Sequence, residues 1–165
     1  MTIKTFTFSP FQENTYLVYD ETGETMIIDA GMFYEKEKNE IIQFLEMKNL
    51  VLKRVINTHL HLDHQFGNKF LFDTFGLKPE ACKEDEFLLE NVHKSAEIFG
   101  LAYKEETQPL GKYIIESEEI KFGNSIFVSL AVSGHSPGSL AFYNAKESVV
   151  FTGDALFKGS IGRTD

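Results

Sequence analysis

Apolar and β-branched residues recur at short spacing through the opening of the chain. Residues 2–8, 15–19 and 25–29 combine them with aromatics and read as strands. Asp20-Glu21-Thr22-Gly23-Glu24, between the second and third, has the composition of a hairpin turn, and Asp29-Ala30-Gly31 ends the third strand. The period then lengthens. Over residues 35–48, Ile41, Ile42 and Leu45 form an apolar stripe opposite Glu and Lys, which predicts an amphipathic helix. Residues 52–57 read as a strand, and residues 65–75 as a helix closed by Gly76. A further helix is expected over 83–99, with Phe87, Leu88, Val92 and Phe99 at helical spacing and Gly100 as its stop. Beyond Pro109 the strand pattern returns at 112–116, 119–122, 125–132, 140–144 and 149–152, separated by Gly, Asn and Ser turns. Strands, then strand-helix units, then strands again predict layered sheets with outer helices rather than a simple doubly wound sheet.

Composition narrows this picture. With 165 residues, 42% hydrophobic, and no repeat or linker, the chain is expected to form one domain over 1–165 with a real core. No apolar run approaches the roughly 20 residues of a membrane span. The N-terminus lacks a secretory pattern and Cys82 stands alone, so a reducing cytoplasm is expected. The formal net charge of -9 argues against a broad nucleic-acid-binding surface. Acidic runs at 35–46 and 84–97 read as solvated helix faces.

One segment departs from this ordinary pattern. Thr58-His59-Leu60-His61-Leu62-Asp63-His64 places three histidines and an aspartate directly after a predicted strand. Residues i and i+2 of extended chain point the same way, so His59 and His61 can share one metal ion. Asp63 and His64 fall where the chain turns into a helix and can diverge toward a neighbouring ion; Asp63 also stands where a helix N-cap would be. Such a centre needs further ligands with positions left open for water and substrate. His135 in Ser133-Gly134-His135-Ser136-Pro137-Gly138-Ser139, and Asp154 in Phe151-Thr152-Gly153-Asp154, are the candidates. A carboxylate such as Asp154 can bridge two ions through its two oxygens. His93, on an acidic helix, reads as a surface residue, and Cys82 has no evident base partner.

Taken together, T-H-x-H-x-D-H, G-H-S-P-G-S, F-T-G-D-A-L-F, G-S-I-G-R-T-D and I-I-D-A-G at residues 27–31 resemble the metallo-β-lactamase superfamily, and more narrowly its hydroxyacylglutathione hydrolase (glyoxalase II) branch. The resemblance implies an α/β (α+β) fold: a four-layer αββα sandwich with the metal site at one edge of the two sheets. It assigns His59, His61 and His135 to one metal, Asp63 and His64 to a second, Asp154 to both as a bridge, and Asp29 to a supporting role behind the ligands. It implies two divalent ions, zinc foremost, with iron or manganese as alternatives. In relatives a metal-bound hydroxide attacks a thioester or related acyl carbonyl, and Asp63 helps to orient it. No serine or cysteine nucleophile is then required, and Ser136 and Ser139 are left to shape their loop. Ser133 replaces a proline common in the family. Relatives also continue past G-R-T-D with further strands, a helix and a last histidine for the second metal, so the chain reads as C-terminally incomplete. A weaker second position follows, as does an exposed C-terminal edge that a homo-oligomer can cover.

The expected activity is therefore that of a metallo-hydrolase acting on a small molecule, with neither nucleic acid nor membrane as partner. An iron-dependent persulfide dioxygenase is the alternative within the same motifs, with His59, His135 and Asp154 as a two-histidine, one-carboxylate set. A non-catalytic metal-binding module is the alternative from another class.

Overall fold

The computed structural model describes residues 1–164; Asp165, the last residue of the G-R-T-D motif, lies outside the described residues. Three antiparallel-paired strands open the chain: β1 (Thr2–Phe8), β2 (Glu13–Tyr19) and β3 (Glu24–Ile28). Helix α1 (Glu35–Met47) then crosses over to β4 (Val51–Ile56), which lies parallel to β3. Two short parallel strands, β5 (Glu80–Ala81) and β6 (Lys112–Tyr113), complete a six-stranded sheet in sequential order. A second, antiparallel sheet has the order β10-β9-β8-β7, from β7 (Glu119–Phe122), β8 (Ser125–Ala131), β9 (Leu140–Asn144) and β10 (Val149–Phe151).

The period-two pattern sorts the strand side chains between two cores. On one face of the first sheet, Phe6, Phe8, Leu17, Ile27, Leu52 and Val55 pack with Ile41 and Leu45 of α1 and with Leu71. On the other face, Val18, Met26, Ile28 and Ile56 meet Ile120, Phe122, Phe127, Leu140, Phe142 and Phe151 of the second sheet. Helix, sheet and sheet therefore form three successive layers of the expected sandwich. The outer face of the second sheet carries Ile126, Leu130, Tyr143 and Val150, all exposed and in none of the core clusters among the described residues.

Several predicted elements are interrupted. The helix expected over 65–75 is two pieces, α2 (Leu62–Gln65) and α3 (Asn68–Phe75), joined at Gly67, whose N–H bonds the Ala30 carbonyl (2.7 Å) instead of continuing the helical ladder. Gly76 does close it, in the left-handed conformation (φ 71°). The helix expected over 83–99 breaks into a 3₁₀ turn (Lys83–Asp85), α4 (Phe87–Glu90) and α5 (Val92–Ile98). Its buried apolar residues are Leu89, Val92 and Ala96, whereas Phe87 and Phe99 of the expected stripe are about half exposed. The strand expected over 112–116 shortens to β6, and the two-residue β5 and the hairpin β11 (Leu156–Phe157) and β12 (Ser160–Ile161) were too short to leave a periodic signal. Among the described residues no helix is long and apolar enough to cross a membrane.

Candidate metal centre

The histidine segment leaves β4 at one edge of the paired sheets. The chain bends at Thr58, His61 is extended, and α2 begins at Leu62. Asp63 lies in the first turn of α2; the N-cap position belongs to His61 and has no side-chain cap, so Asp63 is not the capping residue. His135 arrives on the loop between β8 and β9, and Asp154 on a 3₁₀ turn (Gly153–Ala155) directly after β10. Three separate segments thus converge.

The convergence is tight. The His59, His61 and His135 rings lie 4.5–4.8 Å apart between centroids, and His61 Nδ1 is 2.8 Å from His135 Nε2. One ligand atom from each of the three falls within 4.8 Å of the other two. A second set of the same tightness is His59, His64 and Asp154. Asp154 faces both sides: Oδ2 is 3.5 Å from His135 Nε2, and Oδ1 is 3.3 Å from His64 Nε2. Asp63 Oδ2 stands slightly further out, 3.8 Å from His64 Nε2.

The ring tautomers follow from the surroundings. Thr58 Oγ1 donates to Asp29 Oδ2 (2.7 Å), so it accepts from His59 Nδ1–H (3.1 Å) and leaves a lone pair on Nε2. That Nε2 is buried and has no hydrogen-bond partner among the described residues. His135 Nδ1 donates to the Arg163 carbonyl (3.1 Å), which leaves the Nε2 lone pair facing His61 Nδ1. A buried lone pair without a donor costs free energy unless something electron-poor sits there. The donor set therefore fits divalent cations of the borderline-soft, imidazole-binding kind.

Charge points the same way. Burial, with smaller pushes from His64, His61 and His135, holds the His59 imidazole well below its ordinary pKa, and burial and His135 lower that of His61. Both are ready as neutral ligands. Burial works against a charged His64, but Asp29, Asp154 and Asp63 outweigh it and raise its pKa well above the usual value. Burial pushes Asp154 up, yet its contact with His64 and the nearby imidazoles hold its carboxyl below the usual range. Glu13 is lifted well above the usual range by burial, despite His64, with Asp29 and Asp63 pushing in the same direction. Asp29, Asp63 and Asp154 crowd His64, and a site of that kind suits added positive charge.

Behind the ligands, Asp29 stands at the end of β3 with φ 56°, a left-handed conformation uncommon outside glycine. That twist lets both of its oxygens accept from Thr58, from N–H and from Oγ1, each at 2.7 Å. The supporting role that the resemblance gave to Asp29 thus has a concrete geometry. Gly153 packs against Thr58: at φ 50°, an added Cβ would lie 2.3 Å from Thr58 Oγ1.

The sequence reading missed Asp85. It lies in an acidic run read as a solvated face, yet it is fully buried. Its carboxylate accepts from Leu60 N–H (3.2 Å), Ser136 Oγ (2.7 Å) and Gly138 N–H (2.6 Å), which ties the His59–His61 segment to the His135 loop. Ser136 and Ser139 are bonded to each other (2.8 Å) and shape that loop as expected. His93 lies on the surface, next to the Glu105 carbonyl (3.0 Å), and Cys82 donates to Glu84 (2.8 Å). Neither belongs to the centre.

His61, Asp63, His135 and Asp154 line a cavity of about 510 Å³ together with the apolar side chains of Phe11, Leu62, Leu88, Val92 and Phe99.

The sequence profile of the Metallo-beta-lactamase superfamily matches residues 8–165. The chain belongs to that superfamily. Within it, the chain is 36% identical over 166 residues to hydroxyacylglutathione hydrolase GloC of Haemophilus influenzae, covering all of this chain and 76% of that one. Two superfamily structures superpose closely. BLEG-1, a B3 metallo-β-lactamase, has a TM-score of 0.86 at 29% identity, covering 99% of this chain and 77% of the other. TTHA1623, solved in a di-iron-bound form, has a TM-score of 0.84 at 33% identity, covering 98% and 77%. The fold is thus that of the superfamily, with glyoxalase II-like hydrolases among the relatives.

Proposed function

We propose that this superfamily member hydrolyses thioesters or related acyl compounds at a two-ion centre. His59, His61 and His135 would hold one ion, His64 and Asp63 the other, with Asp154 placed between the two sets to serve both. The observation that carries the reading is the convergence of imidazole and carboxylate atoms from three segments within 4.8 Å of one another, with a buried His59 Nε2 that has no partner among the described residues. The identity to a hydroxyacylglutathione hydrolase supports an acyl substrate. Zinc suits this donor set, and the di-iron form of a relative makes iron the main alternative.

A bound divalent ion supplies Lewis-acid polarisation and lowers the pKa of water to about 7. The chain supplies the remainder. Asp63, at the lip of the cavity, orients the attacking water and takes its proton at a carboxylate oxygen. Phe11, Leu62, Leu88, Val92 and Phe99 pack the acyl group and keep bulk water from its carbonyl. Water adds to the carbonyl carbon, the carbon–sulfur bond breaks, and acid and thiol leave.

The test is thiol release from a panel of S-acyl glutathiones by protein stripped with chelator and then reloaded with zinc, iron or manganese. The expected result is metal-dependent release, reduced at least about a hundredfold by Asp63→Asn. Oxygen uptake with a persulfide and no thiol release from any thioester would instead support a dioxygenase.

A further inference from the structure

Two buried polar atoms beside the centre have no hydrogen-bond partner among the described residues: His64 Nδ1 and Glu13 Oε1. They face each other at 3.9 Å. One is a ring N–H whenever His64 presents Nε2 to an ion, and the other is an acceptor, so the two deficiencies are complementary. Such pairs are rare in protein interiors, because each group left unmade costs its full desolvation.

The surroundings hold Glu13 in place for this. Its side chain is 1% exposed. Oε2 accepts from Thr15 Oγ1 (2.8 Å), and Thr15 Oγ1 in turn accepts from Gly31 N–H (2.9 Å). Gly31 leaves the space: a Cβ there would lie 1.9 Å from Glu13 Oε2. Oε1 is thereby left pointing at His64. Asp29 Oδ2 is nearer to Nδ1, at 3.1 Å, but it lies off the direction of the ring N–H and makes an ion-pair contact rather than a hydrogen bond. A small rotation of the His64 ring gives Nδ1–H an acceptor in Glu13.

We infer that Glu13, held by Thr15 and Gly31, is a positioning residue that fixes the ring orientation and Nδ1–H tautomer of His64, and so selectively sets the affinity of the second metal position. The inference rests on the two-ion reading given above. A carboxylate behind a ligating imidazole raises its basicity and holds its angle, and losing such a partner lowers metal affinity by roughly 10–100-fold. Glu13 touches neither ion nor substrate and acts only through His64.

The experiment is a chelator-competition titration of stripped full-length chain with Zn²⁺, resolving the two binding steps, alongside the ¹⁵N shifts of the His64 ring in the zinc-loaded protein. The variants are Glu13→Leu, which fills the space without an acceptor, Glu13→Gln, which keeps one, and Thr15→Val, which removes only the anchor. The expected result is a 10–100-fold weaker second step in Glu13→Leu with the first step unchanged, a smaller loss in Thr15→Val, and largely restored affinity with the wild-type tautomer in Glu13→Gln. Equal weakening of both steps, or no change in either, overturns the inference. If Glu13→Leu does not fold, Thr15→Val and Glu13→Gln decide it: an unchanged second step in Thr15→Val, or a loss in Glu13→Gln as large as in Thr15→Val, is contrary. A wild-type chain that binds fewer than two ions overturns the two-ion reading itself, a failure distinct from two bound ions indifferent to Glu13.

Discussion

Asp85 shows how a single residue escapes pattern reading. It sits among Lys83, Glu84 and Glu86, where nothing distinguishes one carboxylate from its neighbours, and its partners lie 25 to 53 positions away. The candidate ligands stood out because three histidines in seven residues have few other uses, and the structure brings them together with His135 and Asp154. The group that aligns their loops did not, because its signal is purely tertiary. Glu37 is a second case: counted with a solvated run, it is buried and accepts from the N–H groups of Ser9, Phe33 and Tyr34. Asp85→Ala leaves the Leu60 and Gly138 N–H groups without their carboxylate acceptor, and urea denaturation is expected to show a loss of at least about 2 kcal/mol. Cys82 was read as outside the chemistry, and it stands away from the candidate centre beside Glu84. Burial, then the carboxylate of Glu84, pushes its thiol up to about 11. Alkylation by iodoacetamide at pH 7.5 is expected to be about a hundredfold slower than for a free thiol, measured by mass spectrometry.

At the scale of elements, the long strands and α1 were readable because their periodicity survives over five residues or more. The region 83–99 was not. There Asp85, Leu89, Val92 and Ala96 are buried at helical spacing, yet the chain breaks into a 3₁₀ turn and two short helices, and the pattern of residues marks neither break. Contacts between the sheets were likewise invisible. Asp20, at the end of β2, accepts from Asn124 N–H (2.7 Å) and Ser125 Oγ (2.9 Å) of the β7–β8 turn, and from Thr22 N–H (3.0 Å). Burial opposes its charge, but these bonds outweigh burial and lower its pKa. A carboxyl whose pKa is lower in the folded state adds stability above its unfolded value near 4, and that stability disappears as pH falls through the folded value. Wild type is therefore expected to exceed Asp20→Asn by a constant margin from pH 7 to about 5. The margin should shrink below about pH 4 in thermal melts at successive pH values.

For the whole molecule, two sheets with helices on one outer face bring strand ends and loops to a single edge, and the centre sits there. The layered fold was visible from the order of elements. The exposed outer face of the second sheet was not, since Ile126, Leu130, Tyr143 and Val150 read as ordinary strand residues. Because the ligands come from separate segments, bound metal ties those segments together and stabilises the native state by mass action. Chelation is expected to lower Tm by about 5–10 °C, with recovery on adding zinc, followed by calorimetry. The central claim is that His59 and His135, 76 positions apart in the chain, hold the same ion. The most direct measurement is the metal retained per chain after exhaustive dialysis, by plasma mass spectrometry, in wild type, His59→Ala and His135→Ala with matched far-ultraviolet circular dichroism. At least one equivalent in wild type and a loss of at least about tenfold in each variant is the predicted result. Undiminished metal in either folded variant would contradict it.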